Sequence, residues 1–117
     1  MCGIAGLFYP GLPKPIEPAR LAAMTTALAH RGPDGSGIWT APGVGLGHRR
    51  LSIIDVAGSP QPMATPGETH VVVFNGEIYN YQEIRAELIE LGARFATDGD
   101  TEAVSYTHLT LPTICSV

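Results

Sequence analysis

The chain has 117 residues, 44% of them apolar and 15% charged, with seven basic against eleven acidic side chains and a net charge of -4. That balance describes one globular domain with a modest core and excludes a disordered segment. The densest basic cluster is the pair Arg49-Arg50, which argues against a nucleic-acid partner.

Gly3 to Tyr9 reads as a short apolar strand, closed by Pro10-Gly11 and the Pro-rich stretch Leu12 to Pro15. Glu17 to Ala29 has helical spacing, with Leu21, Met24 and Leu28 on one face, Pro18 in the first turn and Gly32 just beyond the end. His30 to Gly37 is loop chemistry, because Gly32, Gly35, Gly37 and Pro33 crowd into it. Ile38 to Thr40 and Val44 to His48 flank Ala41-Pro42-Gly43 and predict a hairpin, and Leu51 to Ile54 continues extended. Ala57 to Gly67 is a turn-rich connection. Val71 to Phe74 is a continuous run of β-formers suited to a strand buried on both faces. Tyr81 to Leu91 is the clearest helix, with Ile84, Leu88 and Leu91 on one face and Gly92 placed to end it. The pattern alone predicts an α+β or layered domain.

No apolar run is long enough to span a bilayer, and no charged segment followed by an apolar one opens the chain. A cytoplasmic protein with no membrane partner is expected. Cys2 and Cys115 make no disulfide framework in that compartment, and the dispersed histidines 30, 48, 70 and 108 predict no metal site.

Cys2 is the residue with the sharpest chemical reading. Methionine removal favours a small second residue and would expose the α-amine of Cys2. An α-amine titrates near ~8 and a thiol near ~8.5, so one residue would carry a matched base and nucleophile. Gly3 behind it lets the backbone approach a substrate closely.

Five segments then occur in order: Met1-Cys2-Gly3-Ile4-Ala5-Gly6, His30 to Gly37 (HRGPDGSG), Arg50 to Asp55 (RLSIID), Phe74 to Tyr81 (FNGEIYNY) and Asp98-Gly99-Asp100-Thr101-Glu102. Any one alone carries little. Together they resemble the glutaminase domain of glutamine-hydrolysing asparagine synthetases, which are N-terminal-nucleophile amidotransferases. The resemblance runs from Met1 to about Ala103, so residues 2–103 are expected to form the N-terminal part of that domain. It implies an α+β fold that is a partial four-layer αββα arrangement.

The resemblance also implies the site. Cys2 would attack the side-chain amide of glutamine, release ammonia and leave a thioester for water to cleave. Gly76 and Asn80 would stabilise the oxyanion. Arg50 would clamp the α-carboxylate, Asp100 would take the α-ammonium, and Asn75 and Glu77 would line the pocket. Backbone groups of Leu51 and Ile53 would help to position the substrate, while His30 and Arg31 order a loop. Each residue also has a plainer reading. Asn80 with Glu83 resembles a capping box, Gly76 is a turn glycine, Arg50 a solvated charge and Asp100 a turn aspartate.

After Glu102 the resemblance stops. Val104 to Thr113 (VSYTHLTLPT) matches the translation of a transposase-type sequencing adapter. Residues 104–117 are therefore expected to be non-homologous and wholly or partly non-native, with no function for Tyr106, His108 or Cys115. The alternative is a divergent β-like tail, and a genomic template spanning Glu102 to Val117 without adapter would establish it. No Ser-Gly-Gly-x-Asp-Ser loop for ATP occurs. The expected whole is an ATP- and Mg²⁺-dependent synthetase making asparagine from aspartate, its synthetase domain absent here and the fragment itself without a cofactor. A homodimer of the full-length enzyme is compatible with this. Two other readings stay open: an amidotransferase with a different nitrogen acceptor, and an inactive or merely glutamine-binding fragment.

Overall fold

The computed structural model describes residues 2–51 and 59–115, with side chains as far as Thr107. In chain order the elements are β1 (Gly3–Phe8), α1 (Pro18–Ala27), β2 (Gly35–Ala41), β3 (Val44–Arg50), β4 (Met63–Ala64), β5 (Val71–Val72), α2 (Tyr81–Glu90) and α3 (Asp100–Cys115). A single 3-10 turn at Pro66–Glu68 follows β4. The result is a mixed α/β chain with small sheets and three helices.

Two compact units can be distinguished. In the first, β3 lies between β1 and β2 in an antiparallel sheet of order β1-β3-β2. The register pairs Gly3 with Arg49 and Phe8 with Val44 on one side, and Gly35 with Arg50 and Ala41 with Val44 on the other. One face of the sheet carries α1. Leu21 is fully buried, and Thr25 is buried beside it with its hydroxyl donating to the Leu21 carbonyl at 2.8 Å. The helix can lie this close because β3 has no side chain at position 47, where a Cβ would collide with the Thr25 hydroxyl. The opposite face displays Ile4 and Phe8, which are 45% and 72% exposed.

Segments Pro60–Pro62 and Val72–Gly76 also belong to this first unit. Gly37 of β2 sits against the first of them, and a Cβ there would strike the Gln61 carbonyl. This corrects the loop expected over His30 to Gly37. Gly35 to Gly37 are strand residues, and Gly37 is glycine because another backbone crosses it. Gly32 likewise ends no helix, since α1 stops at Ala27 and Gly32 abuts the Arg49 backbone.

The second unit contains the chain from Glu77 onward, where α2 packs against α3. Leu88, Ala103 and Val104 are its buried apolar side chains. Helix α2 ends as expected: Gly92 takes φ 97°, its N–H donates to Ile89, and the Ala93 N–H donates to Leu88. That pair of bonds is the Schellman arrangement, which a left-handed glycine makes easy. Leu91 does not join the apolar face and is exposed. Arg85 takes the packed side instead, its guanidinium 5.2 Å from the Phe95 ring centroid and 3.5 Å from the Asp98 carboxylate.

Two further expectations change. Val71 to Phe74 is not a four-residue buried strand, for β5 covers only Val71–Val72 and is half-buried. Its continuation to Phe74 is held by side chains rather than by a ladder. The tail is helical from Asp100 through Cys115, unlike the β-like form weighed only as the alternative, and Tyr106 packs on Phe95 at 5.0 Å and donates to the Arg94 carbonyl at 2.7 Å. Among the described residues no helix is long and apolar enough to cross a membrane.

Candidate active site

Cys2 immediately precedes β1 and is half-buried. Since Gly3 pairs with Arg49, the same register continued by one residue sets Cys2 opposite Arg50, the last residue of β3. The chain direction of β3 then brings Leu51 to the sulfur. The Leu51 N–H donates to Cys2 Sγ at 3.4 Å, and the thiol lies 3.7 Å from the Leu51 carbonyl. Both backbone groups of one residue thus hold the thiol. The expectation for Leu51 is a backbone role toward substrate; here that backbone meets the Cys2 thiol. Arg31 adds a second restraint, its Nε donating to the Cys2 carbonyl at 3.4 Å. The loop-ordering role expected of Arg31 therefore bears on Cys2 itself.

Arg50 is half-buried and carries interactions of its own. Asn75 and Gly76 belong to the same unit as Cys2 and Arg50, and both are exposed. Their approach is fixed by two buried residues that sequence reasoning passed over. The Phe74 N–H donates to Gln61 Oε1 at 2.6 Å, and His48 Nε2 donates to the Phe74 carbonyl at 3.1 Å. His48 is 1% exposed, and its Nδ1 has no hydrogen-bond partner among the described residues. Burial lowers the pKa of this imidazole below the ordinary 6.5. The Phe74 hydrogen bond opposes that shift and the Arg50 charge adds to it. The neutral tautomer with a proton on Nε2 fits the site, because a bare Nδ1 lone pair is cheaper to bury than an unpaired N–H.

The second unit holds Glu77, Asn80 and Asp100. Asp100 opens α3, is buried, and accepts the Ile78 N–H at 3.0 Å on Oδ2. One carboxylate thereby ties the segment between Glu77 and Asn80 to the start of α3. Glu102, two residues on, has no role in the sequence reading. It accepts the Ala96 N–H, the Thr97 N–H and the Thr97 hydroxyl at 2.7 to 3.1 Å. Asn80 precedes α2 and is exposed, but its side chain makes no capping hydrogen bond, so the capping box does not form. Its backbone carbonyl still accepts from Ile84 at 3.1 Å. Glu77 is exposed, and Ile53 lies outside the described residues.

The signals for the overlooked residues were present but indirect. In β3 the neighbours Gly47 and His48 are both buried, so alternation does not single out His48. What marks it is its type, since a polar side chain buried in a strand requires a specific partner. Gln61 and Glu102 act on backbone remote in sequence or preceding their own helix, which residue spacing does not encode.

The sequence profile of the glutamine amidotransferase domain matches residues 1–111. The chain is 44% identical over 110 residues to an asparagine synthetase [glutamine-hydrolyzing] of Bacillus subtilis, covering 92% of this chain and 17% of that protein. Asparagine synthetase B [glutamine-hydrolyzing] of Escherichia coli is 38% identical over 104 residues, covering 89% of this chain and 19% of its own length. A plant relative, asparagine synthetase [glutamine-hydrolyzing] 1 of Arabidopsis thaliana, is 35% identical over 108 residues, 92% of this chain and 18% of its own. The chain thus spans less than a fifth of the length of each of these three relatives. With its match covering residues 1–111, this chain belongs to the glutamine amidotransferase domain family.

Proposed function

We propose that this chain is the N-terminal part of the glutaminase domain of an asparagine synthetase, and that Cys2 is its nucleophile. The observation that carries this is the placement of Cys2. The thiol of residue 2, one residue before the Gly3–Arg49 pair, is held by both backbone groups of Leu51.

The chemistry follows from the residue types. With Met1 removed, the α-amine of Cys2 takes the thiol proton and the sulfur attacks the glutamine side-chain carbonyl. A carbon–sulfur bond forms and the carbon–nitrogen bond breaks. The amine returns the proton to the leaving group, which departs as ammonia. Water cleaves the thioester, giving glutamate and the free thiol. Gly76 and Asn80 stabilise the negative oxygen of each tetrahedral intermediate. Arg50 binds the substrate carboxylate and Asp100 its ammonium group, with Asn75, Glu77 and the backbone of Leu51 and Ile53 around them. That Asn80 caps nothing supports its assignment, since its amide is not committed to the helix.

The fold belonging to this reading is the four-layer αββα arrangement. The sheet of β1, β3 and β2 with α1 would supply one helix layer and one sheet layer, and the exposed Ile4 and Phe8 face would meet the second sheet. Ammonia would pass to a synthetase domain that activates aspartate with ATP and Mg²⁺. Among the described residues there is no group of three or more His, Cys, Asp or Glu side chains able to hold a metal.

Labelling tests the reading directly. In the full-length protein, a glutamine-analogue electrophile should modify Cys2, seen by peptide mass. Cys2→Ala should abolish both labelling and glutamate release while ammonia still supports synthesis. Glutamate release that survives Cys2→Ala would refute the assignment.

A further inference from the structure

We propose that His48 and Gln61 form a clamp on the Phe74 backbone that orients the Gly76 N–H, making both of them positioning residues for oxyanion stabilisation. The inference rests on the assignment of Gly76 just made.

The geometry is specific. Gln61 Oε1 accepts the Phe74 N–H at 2.6 Å, fixing the peptide plane before Phe74. His48 Nε2 donates to the Phe74 carbonyl at 3.1 Å, fixing the plane after it. Because peptide groups are planar, only the φ and ψ of Asn75 then separate the clamped planes from the one that carries the Gly76 N–H. The strand β5 has already ended at Val72, so no ladder performs this task. Both clamping side chains are themselves buried: His48 is 1% and Gln61 8% exposed. They also stand on the same patch of sheet. His48 is the cross-strand partner of Gly37, and the Gln61 backbone crosses Gly37 where a Cβ would block it. The trajectory of Asn75 and Gly76 is therefore referenced to β2 and β3, and β3 is the strand that ends at Arg50.

A purely structural role would make these bonds nothing more than satisfaction of buried polar groups. The two roles separate experimentally in the full-length protein with three variants. His48→Phe keeps the ring but removes the donor, Gln61→Met removes the acceptor at similar volume, and His48→Gln retains an N–H donor. Deuterium exchange of the 72–76 segment should accelerate about tenfold in the first two variants, the size expected for one lost hydrogen bond. Peptides from β1 and β3 should keep their protection. Glutamine hydrolysis should lose about tenfold in kcat with KM within about twofold, as displacement of an oxyanion donor predicts. His48→Gln should recover most of both. Unchanged exchange over 72–76, an equal loss of protection throughout the sheet, or a change confined to KM would overturn the clamp. A wild-type protein that hydrolyses no glutamine would refute the assigned function instead, and the exchange comparison would still decide the clamp.

Discussion

Burial of the His48 imidazole against the Phe74 carbonyl makes a second proton on that ring costly. Protonation would place an N–H on Nδ1, which faces no acceptor among the described residues, with Arg50 two residues along the same strand. The folded pKa lies below the unfolded value near 6.5. As pH falls through 6.5 the unfolded chain therefore binds the proton first. The stability contributed by neutral His48 is complete above that pH and is lost progressively below it, down to the folded pKa. Urea midpoints of the dilute chain, read from its single tryptophan Trp39, should fall between pH 7.5 and 5.5. In His48→Gln the decline should be shallower, because the titrating group is gone. Parallel declines in the two proteins would show that His48 is not the group responsible.

At the scale of elements, the legible parts were those with a repeating physical signal. Helices α1 and α2 and the β2–β3 hairpin follow from apolar spacing and turn chemistry, and the Gly92 stop from its need for a positive φ. What the sequence concealed was contact between segments remote from one another. Gly35 and Gly37 look like loop glycines until the chain crossing at Gln61 is known. Val73 and Phe74 have strand propensity, but Gln61 and His48 occupy the Phe74 hydrogen bonds. The Asn80–Glu83 spacing suits a cap, yet the Asn80 side chain makes no cap bond. Of the candidate site, Cys2 and Leu51 meet because β1 pairs with β3, which residue spacing along the chain does not express. Glu102 belongs to the same class. Its carboxylate gathers three donors from Ala96 and Thr97 ahead of α3, so Glu102→Ala leaves three groups without their acceptor. A local cost of about 1–3 kcal/mol is expected. It should appear as faster amide exchange at residues 96–97 while β1 and β3 keep their protection. Exchange that stays at the wild-type rate would mean water replaces the carboxylate without loss.

For the molecule as a whole, the balance between covered and uncovered apolar surface decides how the isolated chain behaves. Helix α1 covers one face of the β1-β3-β2 sheet, with Leu21 fully buried, whereas Phe8 is 72% and Ile4 45% exposed on the other. Leu12 and Leu91 are exposed as well. Apolar side chains concentrated on one sheet face promote association, and among the described residues strands β1 and β2 are the edges of that sheet. The 117-residue chain should therefore self-associate at micromolar concentration, where such surfaces drive aggregation, and release no glutamate from glutamine. Replacing Phe8 and Ile4 together by Thr should reduce association, measured by light scattering, because it removes apolar area while keeping β-branched or β-compatible residues in the strand. Glutaminase activity should stay absent in that variant, since under the proposed reading the chain is only the N-terminal part of the glutaminase domain. A monodisperse wild-type chain that releases glutamate, with the activity lost in Cys2→Ala, would show instead that these residues are a sufficient catalytic unit.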